Sequence, residues 1–237
     1  MKNPVSIATE NFIKTIYQFD RHRGEDTRPG SIAKALQISN AAATDMARKL
    51  AKKELITYEK YKALKLTDSG EKMALGIIRK HRLWETFLFE VFGMGMHEIH
   101  REAELLEHLT SDFLAEKISH FLGHPTADPH GDPIPDAAGA YPEIPELILL
   151  SNSQPNRLYE ISRLSGTDKS FFDFCQSRGL VLGARITVKQ QINSPRMTEI
   201  EMDDTVLLLH AGMTQTVFVR PIESEDISTI LNPKNQI

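Results

Sequence analysis

Two short helical patterns, separated by a turn of three residues, restrict the chain to a small set of folds. The segment "SIAKALQIS" predicts a short helix with Ser31 as its N-cap, which buries Ile32, Ala33 and Leu36. The segment "SNAAATDMARKLAKKELI" predicts a second helix that begins at the cap residue Ser39. Because residues 37–39 form so short a connection, the two helices are expected to pack together as a helix-turn-helix.

The run after these helices predicts a β-hairpin. In "ITYEKYKALKLT" polar and apolar residues alternate, and Lys60, Lys62 and Lys65 fall on the hairpin. A hairpin directly after a helix-turn-helix is the wing of a winged helix. Together with the amphipathic pattern "ATENFIKTIYQFDRHRG" before it, residues 1–72 are therefore predicted to form a winged helix-turn-helix domain.

Charge favours a nucleic acid as the partner of this domain. Residues 1–72 hold 14 Lys and Arg against 9 Asp and Glu. The start of the second helix of a helix-turn-helix reads DNA bases, while nearby basic residues bind phosphates. The helix pattern alone leaves open a helical hairpin without a DNA role, and the lysine-bearing wing favours DNA. The predicted DNA-binding residues are Ser39, Asn40, Ala41, Ala42, Thr44, Asp45, Arg48, Lys49, Lys60 and Lys62.

The middle of the chain has the opposite charge. Residues 73–148 hold 5 Lys and Arg against 13 Asp and Glu, and they contain 7 of the 9 histidines. Acidic, histidine-rich segments favour cations. The single cysteine, Cys175, excludes an internal disulfide and a cysteine-based zinc cluster. With no signal peptide and no apolar run long enough to span a bilayer, the sequence points to a cytoplasmic protein.

Three amphipathic helices are predicted in residues 73–140, the last of them opening at Ser111. Their apolar surface exceeds what three helices bury among themselves, so a homodimer interface is expected here. The proline-rich residues 123–146 lack periodicity and predict linking chain, and we place the linker between domains at 141–150. Short alternating strands then predict a small β-barrel at residues 151–225.

A candidate metal site lies in the stretch "HREAELLEH", residues 100–108. On a helix, His100, Glu104, Glu107 and His108 share one face, whereas Glu102 points into solvent. A solvated surface is the alternative for such a face. A second pair, His81 and Glu85, has ligand spacing on the preceding helix, although one such pair can equally be an exposed hydrogen bond. Carboxylates and imidazoles without a thiolate suit Mn²⁺ or Fe²⁺, and also Zn²⁺.

Several of these segments together resemble the metal-dependent repressor family that includes the diphtheria toxin repressor, the iron-dependent regulators and the manganese transport regulators. The resemblance rests on "TENFIKTIY", "SNAAATDM", "YEKYKALKLTDSG", "RKHRLWETFL", "HREAELLEHLTSD" and "FLGHPTADPHGDPIP". It is close over about residues 5–137 and loose over the barrel. It implies a mainly α fold with small β: the winged helix-turn-helix, a helical dimerisation and metal-binding domain, and a C-terminal SH3-like, FeoA-like barrel.

The resemblance also implies ligands for up to two divalent ions per subunit. The primary site would use Asn11, Glu104, Glu107 and His108, and the ancillary site would use His81, Glu85 and His100. Position 104 is Glu where iron-type members carry Cys, which matches the manganese-type pattern. Position 11 is Asn, where manganese-type members often have Asp and iron-type members have Met. The remaining histidines of this region, His97, His120, His124 and His130, are expected on the surface.

The expected function is that of a metal-activated, dimeric, DNA-binding regulator of metal-ion homeostasis genes, and not of an enzyme. The expected ion is Mn²⁺ with Fe²⁺ as the alternative, and the expected partners are operator DNA and a second copy of the chain, with no membrane and no organic cofactor. Two other functions stay open. The His/Glu clusters alone would fit a small metallohydrolase, although no nucleophile motif or phosphate-binding loop accompanies them. A winged-helix interaction module with a purely structural metal is the third possibility.

Overall fold

The computed structural model describes residues 6–166, 168–193 and 196–222. Contacts divide these residues into two compact units. The first unit takes the chain up to Gly93, together with Ile99–Thr126 and Ile134–Pro142. The second takes Met94–Glu98, Ala127–Pro133 and the chain from Glu143 onward. The finer division into domains stays a prediction, and its residues 1–5 and 223–225 lie outside the described residues.

The first unit begins with the predicted winged helix-turn-helix. Helix α1 starts after Ser6, whose hydroxyl accepts a hydrogen bond from the Thr9 amide, and a π-helical turn extends it to Gly24. The left-handed φ of +56° at that position favours glycine and ends the helix. The elements of this part are α1 (Ile7–Tyr17), α2 (Pro29–Ala35), α3 (Asn40–Lys52), β1 (Ile56–Thr57) and β2 (Lys65–Leu66).

Helix α2 starts three residues earlier than the sequence predicts. Pro29 occupies its first turn, where the fixed φ of proline suits a helix and its missing N–H costs nothing. Ser31 is therefore not the cap, and its hydroxyl donates to Asp26 instead. The predicted cap of α3 is confirmed, because the Ser39 hydroxyl accepts a hydrogen bond from the Ala42 amide at 3.1 Å.

One apolar core joins α1 to the helix-turn-helix. Phe12, Ile13 and Ile16 of α1 are fully buried in the same cluster as Ala47 and Leu50 of α3. These α1 residues recur at helical spacing and so form a single face. The opposite face of α1 is left to carry polar side chains.

The helical part of the first unit follows the sequence closely. It comprises α4 (Asp68–Phe92), α5 (Met96–Leu106, of which Met96–Glu98 belong to the second unit), a 3₁₀ turn (Glu107–Leu109) and α6 (Asp112–Phe121). The Trp84 indole donates to the Thr110 hydroxyl at 2.7 Å, which fixes the end of the 3₁₀ turn against α4. Large apolar side chains remain exposed here: Phe92, Leu105, Leu109, Phe113, Leu114 and Phe121.

The proline-rich segment is irregular, as predicted, but it is not a loose linker. Ile134 is buried with Leu83, Ala115 and Ile118. The guanidinium of Arg79 donates to the Pro135 carbonyl at 2.8 Å. Sequence periodicity cannot predict such packing, because prolines and turns hold the segment without a repeating pattern.

The second unit contains a six-stranded antiparallel sheet of order β3-β8-β4-β5-β6-β7. The predicted strands are confirmed, and alternate residues such as Ile161, Val188, Ile200 and Val219 fill its core. The elements are β3 (Ile148–Leu149), β4 (Arg157–Leu164), α7 (Lys169–Ser177), β5 (Arg185–Ile192), β6 (Met197–Met202), β7 (Thr205–His210), α8 (Ala211–Thr214) and β8 (Val217–Pro221). Within the described residues, no helix has the length and apolar content needed to cross a bilayer.

Candidate metal centre

Three of the predicted primary ligands come together where α5 passes into the 3₁₀ turn. One donor atom from each of Glu104, Glu107 and His108 lies within 4.8 Å of the others. Glu107 is fully buried and His108 is 3% exposed, measured on their side chains, whereas Glu104 is partly open to solvent. Two carboxylates and an imidazole at this separation are a donor set for a divalent cation.

His108 is oriented by a residue that the sequence analysis did not single out. Its Nδ1 lies 2.6 Å from Oε2 of Glu10 on α1. A carboxylate accepts hydrogen bonds, so Nδ1 is the donor, and a neutral ring then has its lone pair on Nε2. That Nε2 atom is buried and has no hydrogen-bond partner, although Glu107 Oε1 lies 3.3 Å away. A carboxylate behind a histidine is the usual support of a metal-binding imidazole.

Asn11 provides the second unpartnered atom. Its side-chain Oδ1 is buried without a hydrogen bond, directly after Glu10 on α1. A buried carbonyl without a partner is unfavourable, typically by ~1–3 kcal/mol, so such atoms are rare unless something binds them. An amide oxygen and a bare imidazole nitrogen are both metal ligands. The residues present therefore fit a divalent cation.

Lys14 is the other residue that the sequence analysis missed. Its buried ammonium group lies 2.8 Å from Glu104 Oε2 and 2.9 and 2.8 Å from the two carboxylate oxygens of Glu107. Burial raises the pKa of Glu104, but the charge and hydrogen bond of Lys14, with His81 and His100, hold that pKa below its ordinary value. In the sequence, Glu10 and Lys14 are four residues apart in "ENFIK" and share a face of α1 with Asn11, but this spacing does not indicate that the face is buried.

The predicted ancillary residues also meet. Nε2 of His81 lies 3.0 Å from Glu85 Oε1 and 3.2 Å from Nδ1 of His100. Nδ1 of His100 also lies 3.0 Å from Glu85 Oε1. Nδ1 of His81 contacts Glu107 Oε2 at 2.6 Å, which connects the two sets. Burial lowers the pKa of His81, and Lys14 does so too, but Glu85 and Glu107 raise it to about 9. His100 is the ancillary residue most open to solvent, with 65% of its side chain exposed.

Glu102 and the four histidines outside the two ligand sets were predicted to lie on the surface, and the structure agrees for all but one of them. Glu102 pairs with its neighbour Arg101 at 3.0 Å. His97, His120 and His124 are exposed. The expectation that His130 is a surface residue was wrong: it is buried, and its ring packs against Phe172 with the centroids 5.2 Å apart. A lone histidine in a segment without periodicity gives no indication of burial.

The predicted DNA-binding residues form a largely exposed surface on α3 and the wing. Thr44 is half-buried and its hydroxyl donates to the Asn40 carbonyl at 2.8 Å. Asp45 pairs with Lys49 at 2.7 Å, and that hydrogen bond lowers the pKa of Asp45. The other predicted contacts (Ser39, Asn40, Ala41, Ala42, Arg48, Lys60 and Lys62) are exposed.

Three family models match the chain in succession. Residues 5–64 match "Iron dependent repressor, N-terminal DNA binding domain", and residues 67–136 match "Iron dependent repressor, metal binding and dimerisation domain". Residues 148–221 match "FeoA domain". A solved structure titled "Manganese-dependent transcriptional repressor complex with manganese" is 32% identical, with a TM-score of 0.83 over 90% of this chain and all of that one. The chain belongs to the iron-dependent repressor family.

Other members of the iron-dependent repressor family are similar over most of their length. The iron-dependent repressor IdeR of Mycobacterium leprae is 28% identical over 79% of this chain and 86% of its own. The diphtheria toxin repressor of Corynebacterium efficiens is 24% identical over 87% of this chain and 88% of its own. These relatives are transcriptional repressors and not enzymes, so the metallohydrolase alternative has no support. The predicted fold class is confirmed, from the winged helix to the FeoA-like barrel.

Proposed function

We propose that this protein is a homodimeric transcriptional regulator that binds operator DNA when a divalent metal joins α1 to the end of α5 and the 3₁₀ turn (residues 104–109, the α5–3₁₀ segment). One observation carries the proposal: His108 Nε2 is buried without a hydrogen-bond partner in a donor set with the carboxylates of Glu104 and Glu107, and Asn11 Oδ1 on α1 is buried and unpartnered too. In the primary site the metal would take these four residues as ligands. In the ancillary site it would take His81, Glu85 and His100, which gives up to two ions per subunit.

Helix α1 supplies the connection from metal to DNA. Its polar face carries Asn11, while its apolar face, with Phe12 and Ile16, is buried with α3. On the same helix, Thr9 donates a hydrogen bond to the sulfur of Met46 on α3 at 3.8 Å. A metal that holds α1 therefore limits the positions open to the recognition helix. This is a population shift, because the ion favours the arrangement that supplies its full ligand set.

Mn²⁺ is the ion that we propose, with Fe²⁺ as the alternative. The primary donors are two carboxylate groups, an amide oxygen and an imidazole nitrogen, and hard oxygen ligands suit Mn²⁺. No thiolate is available there, since position 104 is Glu and Cys175 lies in the second unit. The affinity of a given set of ligands still rises from Mn²⁺ to Fe²⁺ and later metals. The geometry of the site and the concentration of each metal in the cell must therefore select the ion. The expected targets are genes of metal-ion homeostasis.

The exposed apolar side chains on α4–α6 support dimerisation. Leu109 and Phe113 are 81% and 73% exposed, and Phe92, Leu105 and Phe121 are exposed too. So many large apolar side chains exposed on three successive helices are unusual on a monomer and mostly mark an interface. A two-fold dimer would place two recognition helices on successive major grooves of DNA.

The test is a DNA-binding titration with single-ligand variants. Duplexes selected from a random-sequence library on the wild-type protein serve as the probe, and fluorescence anisotropy measures binding with Mn²⁺, with anaerobic Fe²⁺ and with chelator. Glu104→Ala and His108→Ala should each lose metal-dependent binding, by about a hundredfold or more in affinity. Glu102→Ala, on the same helix but outside the site, is the matched control and should bind as the wild type does.

Sedimentation velocity on the same samples establishes that each variant is still a dimer. Metal-dependent binding by Glu104→Ala at the wild-type level would show that the primary site is elsewhere. Specific binding that persists in chelator would instead favour a winged-helix module with a purely structural metal. A response to Fe²⁺ but not to Mn²⁺, each buffered to its cytosolic level, would favour the iron alternative.

A further inference from the structure

A buried lysine lies at the proposed primary site. Only 7% of the Lys14 side chain is exposed, although lysine is rarely buried without a specific partner. It belongs to α1, one helical turn after Asn11. Its ammonium group faces the α5–3₁₀ segment, where the carboxylates of Glu104 and Glu107 receive it.

The contacts use the full donor capacity of the ammonium group. A lysine ammonium has three N–H donors, and the structure gives it three acceptors: Glu104 Oε2 at 2.8 Å, Glu107 Oε1 at 2.9 Å and Glu107 Oε2 at 2.8 Å. All three acceptors are carboxylate oxygens. Lys14 is thus held as a cation is held in an ion site, by oxygens from two side chains.

The same carboxylates are the anionic ligands of the proposed primary site. The side chain of Glu107 is fully buried, and a buried carboxylate is stable only when opposite charge or hydrogen bonds compensate it. A divalent metal at these oxygens would supply that compensation, and so does Lys14. To have the metal and the Lys14 ammonium group at these oxygens at the same time would be unfavourable, since the two cations would repel each other at a separation of a few ångströms in a buried site.

We propose that Lys14 is a tethered counter-cation that occupies Glu104 and Glu107 in the metal-free protein and competes with the metal for them. This inference rests on the proposed metal centre. It assigns Lys14 the role of setting the metal concentration at which the regulator responds. With Lys14 in place, the carboxylates are held close together before any metal arrives, and the metal must displace the ammonium group to bind.

A purely structural role for Lys14 has the opposite consequence. If the lysine served only to hold Glu104 and Glu107 in position for the metal, its removal would let the carboxylates separate and would weaken metal binding. The sign of the change in metal affinity therefore distinguishes competition from scaffolding.

The experiment measures the Mn²⁺ dissociation constant of the full chain without DNA, from the electron paramagnetic resonance signal of free Mn²⁺. Lys14→Leu removes the charge and the donors, and Lys14→Gln removes the charge while keeping a polar side chain. Both should bind Mn²⁺ about tenfold or more tightly than the wild type, because one neighbouring positive charge is gone. Lys169→Leu is the matched control, since Lys169 forms an exposed ion pair with Asp173 in the second unit. It should bind as the wild type does.

Thermal unfolding provides a second readout on the same proteins. Without metal, Lys14→Leu should unfold at a lower temperature than the wild type, because Glu107 loses its counter-charge, and saturating Mn²⁺ should remove the difference. Mn²⁺ binding by both Lys14 variants that is unchanged or weaker would overturn the competition and leave the metal centre standing. A wild-type protein that binds no Mn²⁺ would instead overturn the proposed centre itself, and the competition with it.

Discussion

At the scale of single residues, the contact between Glu10 and His108 determines which ring nitrogen faces the proposed metal. The 2.6 Å hydrogen bond from Nδ1 to the carboxylate keeps the proton on that side of the ring. Nε2 is then the atom with the free lone pair, and it is buried without a hydrogen bond. Glu10 acts on the metal through His108, so its role is to position a ligand.

Removal of Glu10 should weaken the site without removing a ligand. We expect Glu10→Ala to lower Mn²⁺ affinity about tenfold or more, the usual effect of losing the partner of a metal-binding histidine. Isothermal titration calorimetry with Mn²⁺ measures the change. Glu25→Ala is the control for the lost charge, because Glu25 is an acidic residue beyond the end of α1 and outside the site. An unchanged Mn²⁺ affinity in Glu10→Ala would mean that other contacts orient His108.

Six of the seven proposed ligands could be proposed from the sequence patterns because their side-chain chemistry and helical spacing are visible there, whereas Asn11 was proposed only from the resemblance to the repressor family. The role of Lys14 could not be predicted, because a lysine in an amphipathic helix is usually solvated. The burial of Lys14 depends on partners 90 and 93 residues away along the chain. Glu10 was missed for the same reason, since His108 lies 98 residues further on. Pair spacing within one helix carries no information about such distant contacts.

At the scale of elements, most helix and strand positions follow from caps and periodicity. Ser39 and Ser111 were predicted at the starts of α3 and α6, and both hydroxyls accept the expected hydrogen bond from a backbone amide. The 3₁₀ turn Glu107–Leu109 was not predicted, because its residues continue the helical pattern of α5. Even so, Glu107 and His108 remain close enough to Glu104 to form one donor set.

Helix α3 is the element that we expect to read DNA. Thr44→Glu places a carboxylate at a half-buried position of α3, beside the exposed residues predicted to contact DNA, where it would repel the phosphates of a bound duplex and should lower affinity for the selected DNA by about a hundredfold or more. Competition anisotropy in saturating Mn²⁺ measures the loss, and Thr44→Gln, of similar size but neutral, controls for the bulk. Calorimetry should show that Thr44→Glu binds Mn²⁺ normally. DNA affinity at the wild-type level in Thr44→Glu would mean that another element reads the operator.

At the scale of the whole molecule, function depends on how the proposed metal centre and the DNA-reading helix act on one another. Both lie in the first unit, and α1 belongs to both: its polar face meets Glu107 and His108, and its apolar face is buried with α3. The sequence predicted each of these parts separately. It could not give their connection, because contacts between α1 and the α5–3₁₀ segment exist only in the folded chain.

If metal and DNA favour the same arrangement of α1 and α3, each must strengthen the binding of the other, and this reciprocity can be measured. Mn²⁺ affinity is measured by calorimetry with and without saturating selected DNA, and DNA affinity by anisotropy with and without saturating Mn²⁺, all at one salt concentration. We expect DNA to tighten Mn²⁺ binding about tenfold or more, and by the same factor as Mn²⁺ tightens DNA binding. Mn²⁺ affinity that is the same with and without DNA would contradict this expectation.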